Sequence, residues 1–266
     1  MDEKSIDQTS VELAGWPKPL ARLREALEKN EFSLYCQPVA ALRQGAGGER
    51  FPMAEVLVRM REEERALLPP GEFLPVFEHY GMMPQLDRWV LRHTVRQLAS
   101  GSRIPRFTIN VSGQTVRDAG FPAFAAAELR AAGISMNAVM FEIDESDVLE
   151  RPEHSASFAA AVKAYGGGVL IDSFCRRAVS FAPFKALRPD FVKVDGGVIR
   201  KLLTSEAAQT KLKAVVRVAD ALGIGVVAEC VEEQDVLERL KALDVGFAQG
   251  FGIHKPAPIE KVAGKD

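Results

Sequence analysis

Cysteine is scarce in this chain. Cys36, Cys175 and Cys230 are scattered through 266 residues with no metal-finger spacing. That argues against a disulfide framework or a zinc ribbon and suits thiols kept reduced in a cytoplasmic compartment. Net charge is missing too: 34 Lys and Arg stand against 36 Asp and Glu. With no long-range field to draw nucleic acid or an anionic membrane, no DNA partner is expected, and an anionic ligand must be held by local groups. The longest apolar runs fall well short of the roughly 20 residues of a membrane span. The opening MDEKSIDQTS is polar and acidic, which excludes a signal peptide. No low-complexity segment or internal repeat interrupts the chain. The expectation is a soluble cytoplasmic protein, or a soluble piece of a longer one.

What is present is a core. Hydrophobic residues make up 47% of the chain, enough for one large α/β domain. Residues 1–19 read as a flexible lead-in, 20–258 as one barrel domain and 259–266 as a C-terminal tail. A short helix follows the prolines of WPKPLARLREALEKN. Two strand-like stretches, FSLYCQPVAAL and RFPMAEVLVRMR, flank the glycine-rich QGAGGE and suggest a hairpin. Beyond a helical region the chain alternates. Strands at RFTINVS, AVMFEIDES, GGVLIDSF, FVKVD, IGVVAECV and VGFAQG are separated by helices, the longest within 197–223. Such alternation with short connections predicts a parallel sheet, the number of units predicts a closed, TIM-like (β/α)8 barrel, and the opening hairpin sets one strand antiparallel to the others.

Polar residues recur where these apolar strands end: Asn110 in INVS, Glu142 in MFEID, Asp172 in LIDS, Lys193 and Asp195 in VKVD, Glu229 after VVA and Gln249 after FA. Glu55 lies within AEVLV. In a parallel barrel these ends converge on the face where active sites are built. Any one of them alone is more often a helix cap or half of an ion pair. Repeated on strand after strand, carboxylates would repel one another without a cation, and a hard-oxygen cluster of this kind suits Mg²⁺ or Mn²⁺.

In order and local context these residues resemble the EAL domain family, the cyclic di-GMP phosphodiesterases of bacteria. The similarity runs through YCQPV, AEVLVR, PGEFLPVFEHYGMM, LDRWVL, NVS, FEIDES, KVD, AECVE and QGFGIHKP, nearly the whole chain. The resemblance implies two metal ions that hydrolyse one phosphodiester to linear pGpG. It implies first-ion ligands at Glu55, Asn110, Glu142 and Asp172, and second-ion ligands at Asp172, the residue after it, and Glu229. Lys193 matches a lysine beside the attacking water. Arg59 matches a phosphate contact, and Gln37, Leu57, Asp195, Glu232 and Gln249 match positions lining the nucleotide. Glu145 matches the residue that anchors the loop after the paired aspartates.

The chain departs from the family at three points. Where the family has a second Asp and two glycines, this sequence has Ser173, Cys175 and Cys230. A neutral hydroxyl is a poor ligand for a hard divalent ion, so metal is expected at one site only, with Lys193 left vestigial. Replacing the glycines is expected to restrict how the loop folds. Arg176 and Arg177 read as a solvated loop face or as cations standing in for the missing ion. The resulting expectation is a receptor that binds cyclic di-GMP with weak or no hydrolysis. A working phosphodiesterase and a protein-interaction module that no longer binds nucleotide remain open. So does a homodimer, and the residues name no protein partner.

Overall fold

Eight apolar strands close into a ring. The computed structural model describes residues 16–43, 49–61, 67–176 and 180–264. Strands β1 (Phe32–Ala41), β2 (Met53–Met60), β3 (Phe107–Asn110), β4 (Val139–Asp144), β5 (Gly168–Phe174), β6 (Phe191–Val194), β7 (Gly225–Ala228) and β8 (Phe247–Ala248) pair in the order β2-β3-β4-β5-β6-β7-β8-β1, and β1 returns to β2. β1 runs antiparallel to both neighbours, and the other adjacent pairs are parallel. The fold is therefore the α/β barrel with one reversed strand that the alternation predicts.

The pleat explains where the polar residues fall. Val39, Met53, Met140 and Val227 form a separate apolar cluster, with Phe191 and Phe247 packed against it. Side chains two positions apart share a face of a strand. One pleat beyond the cluster stand Gln37, Glu55, Glu142 and Lys193 on the same strands, with Glu229 and Gln249 directly after β7 and β8. The apolar cluster floors the barrel, and the polar tier lies directly on it. This corrects the strand-end rule for β2: Glu55 is the third residue of that strand, because the floor rather than the strand's end sets the height of the tier.

Outward-facing residues pack against helices. Phe141 of β4 meets Phe121 and Phe158, with ring centroids 5.5 and 6.0 Å away. The helix expected within 197–223 is divided into Gly196–Ile199 and Glu206–Leu222. Ser205 caps the second by accepting from the Ala208 amide, and Gly223 ends it at φ 69°. Ala208, Leu212, Val215 and Ala219 form its buried stripe.

A further strand, β9 (Ala257–Pro258), pairs antiparallel with Tyr35 and Cys36 of β1, and the helix Ile259–Ala263 follows it with Ile259 and Ala263 buried. The sequence pattern does not announce β9, which is two residues long and contains a proline. Residues 1–15 of the lead-in, most of the QGAGGE turn and Arg177 lie outside the described residues.

Candidate functional site

Lys193 is the hub of the polar tier. Burying an ammonium demands paired partners, and its side chain is only 1% exposed. Its Nζ donates to Glu142 Oε2 at 2.6 Å and Glu55 Oε2 at 2.8 Å. It lies 3.6 Å from Asp172 Oδ1 and 3.7 Å from Glu229 Oε1. Asn110 Nδ2 donates to Glu55 Oε1 at 2.8 Å, and Gln249 Nε2 donates to Glu55 Oε2 at 2.8 Å and to Gln37 Oε1 at 3.3 Å. Gln37 Nε2 in turn donates to the His254 carbonyl at 2.9 Å. Residues spread over most of the sequence thus form one bonded network.

One cation cannot balance four carboxylates, and the titration of the group reflects this. Burial pulls the Lys193 ammonium down, but the charges of Glu142, Glu55, Asp172 and Glu229 outweigh it and raise it well above its ordinary value. Glu55 is also opposed by burial. The Lys193 charge, with hydrogen bonds from Lys193, Asn110 and Gln249, nevertheless holds it below the usual carboxylate range. Burial, followed by the Glu55 charge, pushes Glu142 up to about 8. Glu229 is raised well above its ordinary value, chiefly by burial, with Asp172 and Glu55 adding to it. Fully ionised, the tier would hold more negative charge than Lys193 offsets, and the raised Glu142 and Glu229 answer that crowding by favouring their protonated forms.

A second layer stands above. Asp144 ends β4 in register with Asp172 of β5. Asp195 follows β6 and caps the next helix, with Oδ1 accepting from the Gly197 amide at 2.8 Å. Between them lies Arg176. Its Nε is 3.2 Å from Asp195 Oδ2, its Nη1 is 3.5 Å from Asp144 Oδ2, and its Nη2 donates to Ser173 Oγ at 2.5 Å. Ser173 Oγ donates to Asp172 Oδ2 at 3.3 Å. Glu145 holds this segment, with Oε1 accepting from the Cys175 amide at 3.2 Å.

Ser173, Cys175 and Cys230 take left-handed backbone at φ 59°, 68° and 54°. None of the three is glycine, so this conformation carries a strain of about 1–2 kcal/mol per residue. The two cysteines are poor switches, since burial pushes the Cys175 thiol up to about 12 and also raises Cys230.

Not every expected residue joins the network. Leu57 and Arg59 share the inward side of β2 with Glu55 by the two-residue pleat. Arg59 lies over the Tyr35 ring at 5.7 Å and donates to the Val58 carbonyl. Glu232 is exposed after β7. Two residues went unforeseen. Asp144 follows the same strand-end signal as Asp172. Asp87 is buried in the helix Met83–Ala99, where Oδ2 accepts from the Ser112 amide, the Ser112 hydroxyl and the Thr115 hydroxyl. This fixes the turn immediately after Asn110.

The donor set can be tested against a divalent ion. Among the described residues, no three His, Cys, Asp or Glu side chains are arranged to hold one as they lie, and the carboxylates share the Lys193 ammonium instead. Yet Glu142 Oε1 and Asp172 Oδ1 are buried without a hydrogen-bond partner, and the surrounding ligands are hard oxygens in charge excess. Those residues fit one cation. After Asp172, by contrast, Ser173 offers only a hydroxyl, which is bonded to a guanidinium.

Fold and tier together define an α/β barrel with a buried, lysine-centred carboxylate site at the mouth. A model of the EAL domain family matches residues 20–256, and the chain belongs to that family. It is 30% identical over 246 residues to cyclic di-GMP phosphodiesterase PdeB of Shewanella oneidensis, covering 91% of this chain and 28% of that protein. It is 31% identical over 241 residues to cyclic di-GMP phosphodiesterase PdeF of Escherichia coli, covering 90% and 32%. The chain thus spans about a third of the length of these curated relatives. Among solved structures it resembles the c-di-GMP complex of the PaMucR phosphodiesterase, with a TM-score of 0.83, 27% identity, and 92% and 99% of the two chains covered. It also resembles the FimX EAL domain from Pseudomonas aeruginosa bound to c-di-GMP, with a TM-score of 0.80, 26% identity, and 90% and 96% covered.

Proposed function

We propose that this chain is a cyclic di-GMP receptor module, working in the cytoplasm, in which hydrolysis is weak or lost. The family, and the nucleotide named with both solved neighbours, support the ligand. The observation that carries the loss of turnover is Ser173: a hydroxyl follows Asp172, and the Arg176 guanidinium lies on it. Two-metal hydrolysis uses one ion to activate water and the other to stabilise the leaving oxygen. A residue set that suits one ion supports binding without that division of labour.

In this reading Gln37, Leu57, Arg59, Asp195, Glu232 and Gln249 line the nucleotide, and Glu145 anchors the loop. Glu55, Asn110, Glu142 and Asp172 would hold a single Mg²⁺ or Mn²⁺. When bound, that ion supplies positive charge beside a phosphate and relieves the crowding of carboxylates. Lys193 and Glu229 keep their places, but the partner ion that hydrolysis requires has lost its ligand.

Calorimetry with cyclic di-GMP, with Mn²⁺ and with EDTA, tests the receptor reading, and chromatographic assay for pGpG tests the absence of turnover. Binding without pGpG is the expected result. The names of the two curated relatives favour a second reading, a working phosphodiesterase in which Ser173 and water complete the second ion's shell. Rapid pGpG formation would establish it. An absence of binding in both buffers would instead leave a protein-interaction module.

A further inference from the structure

We propose that Arg176 replaces the second divalent ion: its fixed guanidinium takes a phosphate oxygen of the cyclic dinucleotide, so that binding needs no metal at that position. This rests on the receptor reading above and adds the group that makes it work.

The placement is built by the backbone. The pairing of β5 with β6 shifts between Ile171 and Phe174, and Ser173 and Cys175 both take left-handed φ. A turn closes there, with the Arg176 amide donating to the Ser173 carbonyl at 3.3 Å. Glu145 pins it through the Cys175 amide. The chain is therefore curled at the end of β5, and the Arg176 side chain reaches the ends of three neighbouring strands through Asp144, Ser173 and Asp195. Ser173 then links the guanidinium to Asp172, the carboxylate that also faces Lys193.

The chemistry suits an anion. Arg176 keeps its charge: burial opposes it, but Asp195, Asp144 and Asp172 outweigh burial and raise it further. A guanidinium presents five N–H donors in a planar fork that matches phosphate oxygens. Three are engaged by Asp144, Ser173 and Asp195, one each from Nη1, Nη2 and Nε, which leaves one on each Nη. The side chain is 55% exposed, so a ligand at the barrel mouth can reach it. A guanidinium can neutralise and orient a phosphate, but it cannot coordinate a water and acidify it as a metal does. The same substitution thus favours retention of the nucleotide and disfavours its cleavage.

The test is calorimetry with cyclic di-GMP on the intact chain, its R176A variant and its R176K variant, each with Mn²⁺ and with EDTA. R176A is expected to bind at least ~10-fold more weakly than wild type in the same buffer, and R176K to recover part of the loss. Circular dichroism melts of the variants show whether they are folded. If R176A binds as well as wild type wherever wild type binds, Arg176 is only an internal ion pair and the proposal fails while the receptor reading stands. If wild type binds in neither buffer, both fail.

Discussion

Cys230 bears a side chain where the backbone asks for none. Its φ of 54° costs a non-glycine residue about 1–2 kcal/mol, and its thiol is only half-buried. Cys230→Gly is therefore expected to raise unfolding free energy by about 1 kcal/mol in urea titration; no gain would mean that the contact between Cys230 and Gly196 outweighs the strain. Asp87 makes a prediction of opposite kind. Burial lifts it from 3.8 to about 6 despite the hydrogen bonds from Thr115 and Ser112. The folded state holds that proton more tightly than the unfolded chain does. Its stabilising contribution is thus complete below pH 3.8 and is lost as pH rises through about 6, a change of about 3 kcal/mol. Asp87→Asn should flatten this part of the stability profile, measured by denaturant titration across that range, and an unchanged slope would locate the proton elsewhere. Individual site residues were legible because carboxylates interrupting apolar strands are costly and therefore conspicuous. Asp87 was not, since a single Asp on an amphipathic helix looks like any solvated face. Nor was the left-handed backbone at Ser173, which no side-chain pattern encodes.

At the level of elements, the strand–helix alternation predicted the ring because buried parallel strands read as unbroken apolar runs, and the opening hairpin predicted its reversed strand. It overran at the long helix, where Ser205 restarts the chain with a cap, and it missed β9, whose two residues carry no periodicity. The segment after β5 is where element and chemistry meet. In the proposed reading, the Arg176 side chain occupies the position that a second carboxylate ligand would need. Ser173→Asp alone would present a carboxylate to that guanidinium and form an ion pair with it. Production of pGpG in Mn²⁺ is expected to stay at least ~10-fold below that of Ser173→Asp combined with Arg176→Ala. Equal rates in the single and double variants, read by chromatography, would show that the arginine does not compete for the position.

For the whole molecule, the polar tier ties strands from all sides of the ring to Lys193, and a ligand seated on it stabilises the entire barrel. At about 100-fold excess over its Kd, cyclic di-GMP should add about 2.7 kcal/mol and raise the melting temperature measurably, with Mn²⁺ present. A flat response would favour an interaction module. No helix among the described residues is long and apolar enough to cross a membrane. The ring also has a clasp. β8 contributes only Phe247 and Ala248, which pair with β7 on one side and with Ala40 and Ala41 of β1 on the other. Gln249 comes next, bonded to Glu55 and Gln37, and the His254 carbonyl fastens Gln37 from beyond. Where the hoop is thinnest, the pocket's own amides are the rivets. Breathing at this joint would loosen Gln37 and Gln249 together, while an occupant gripping both would keep the buckle shut.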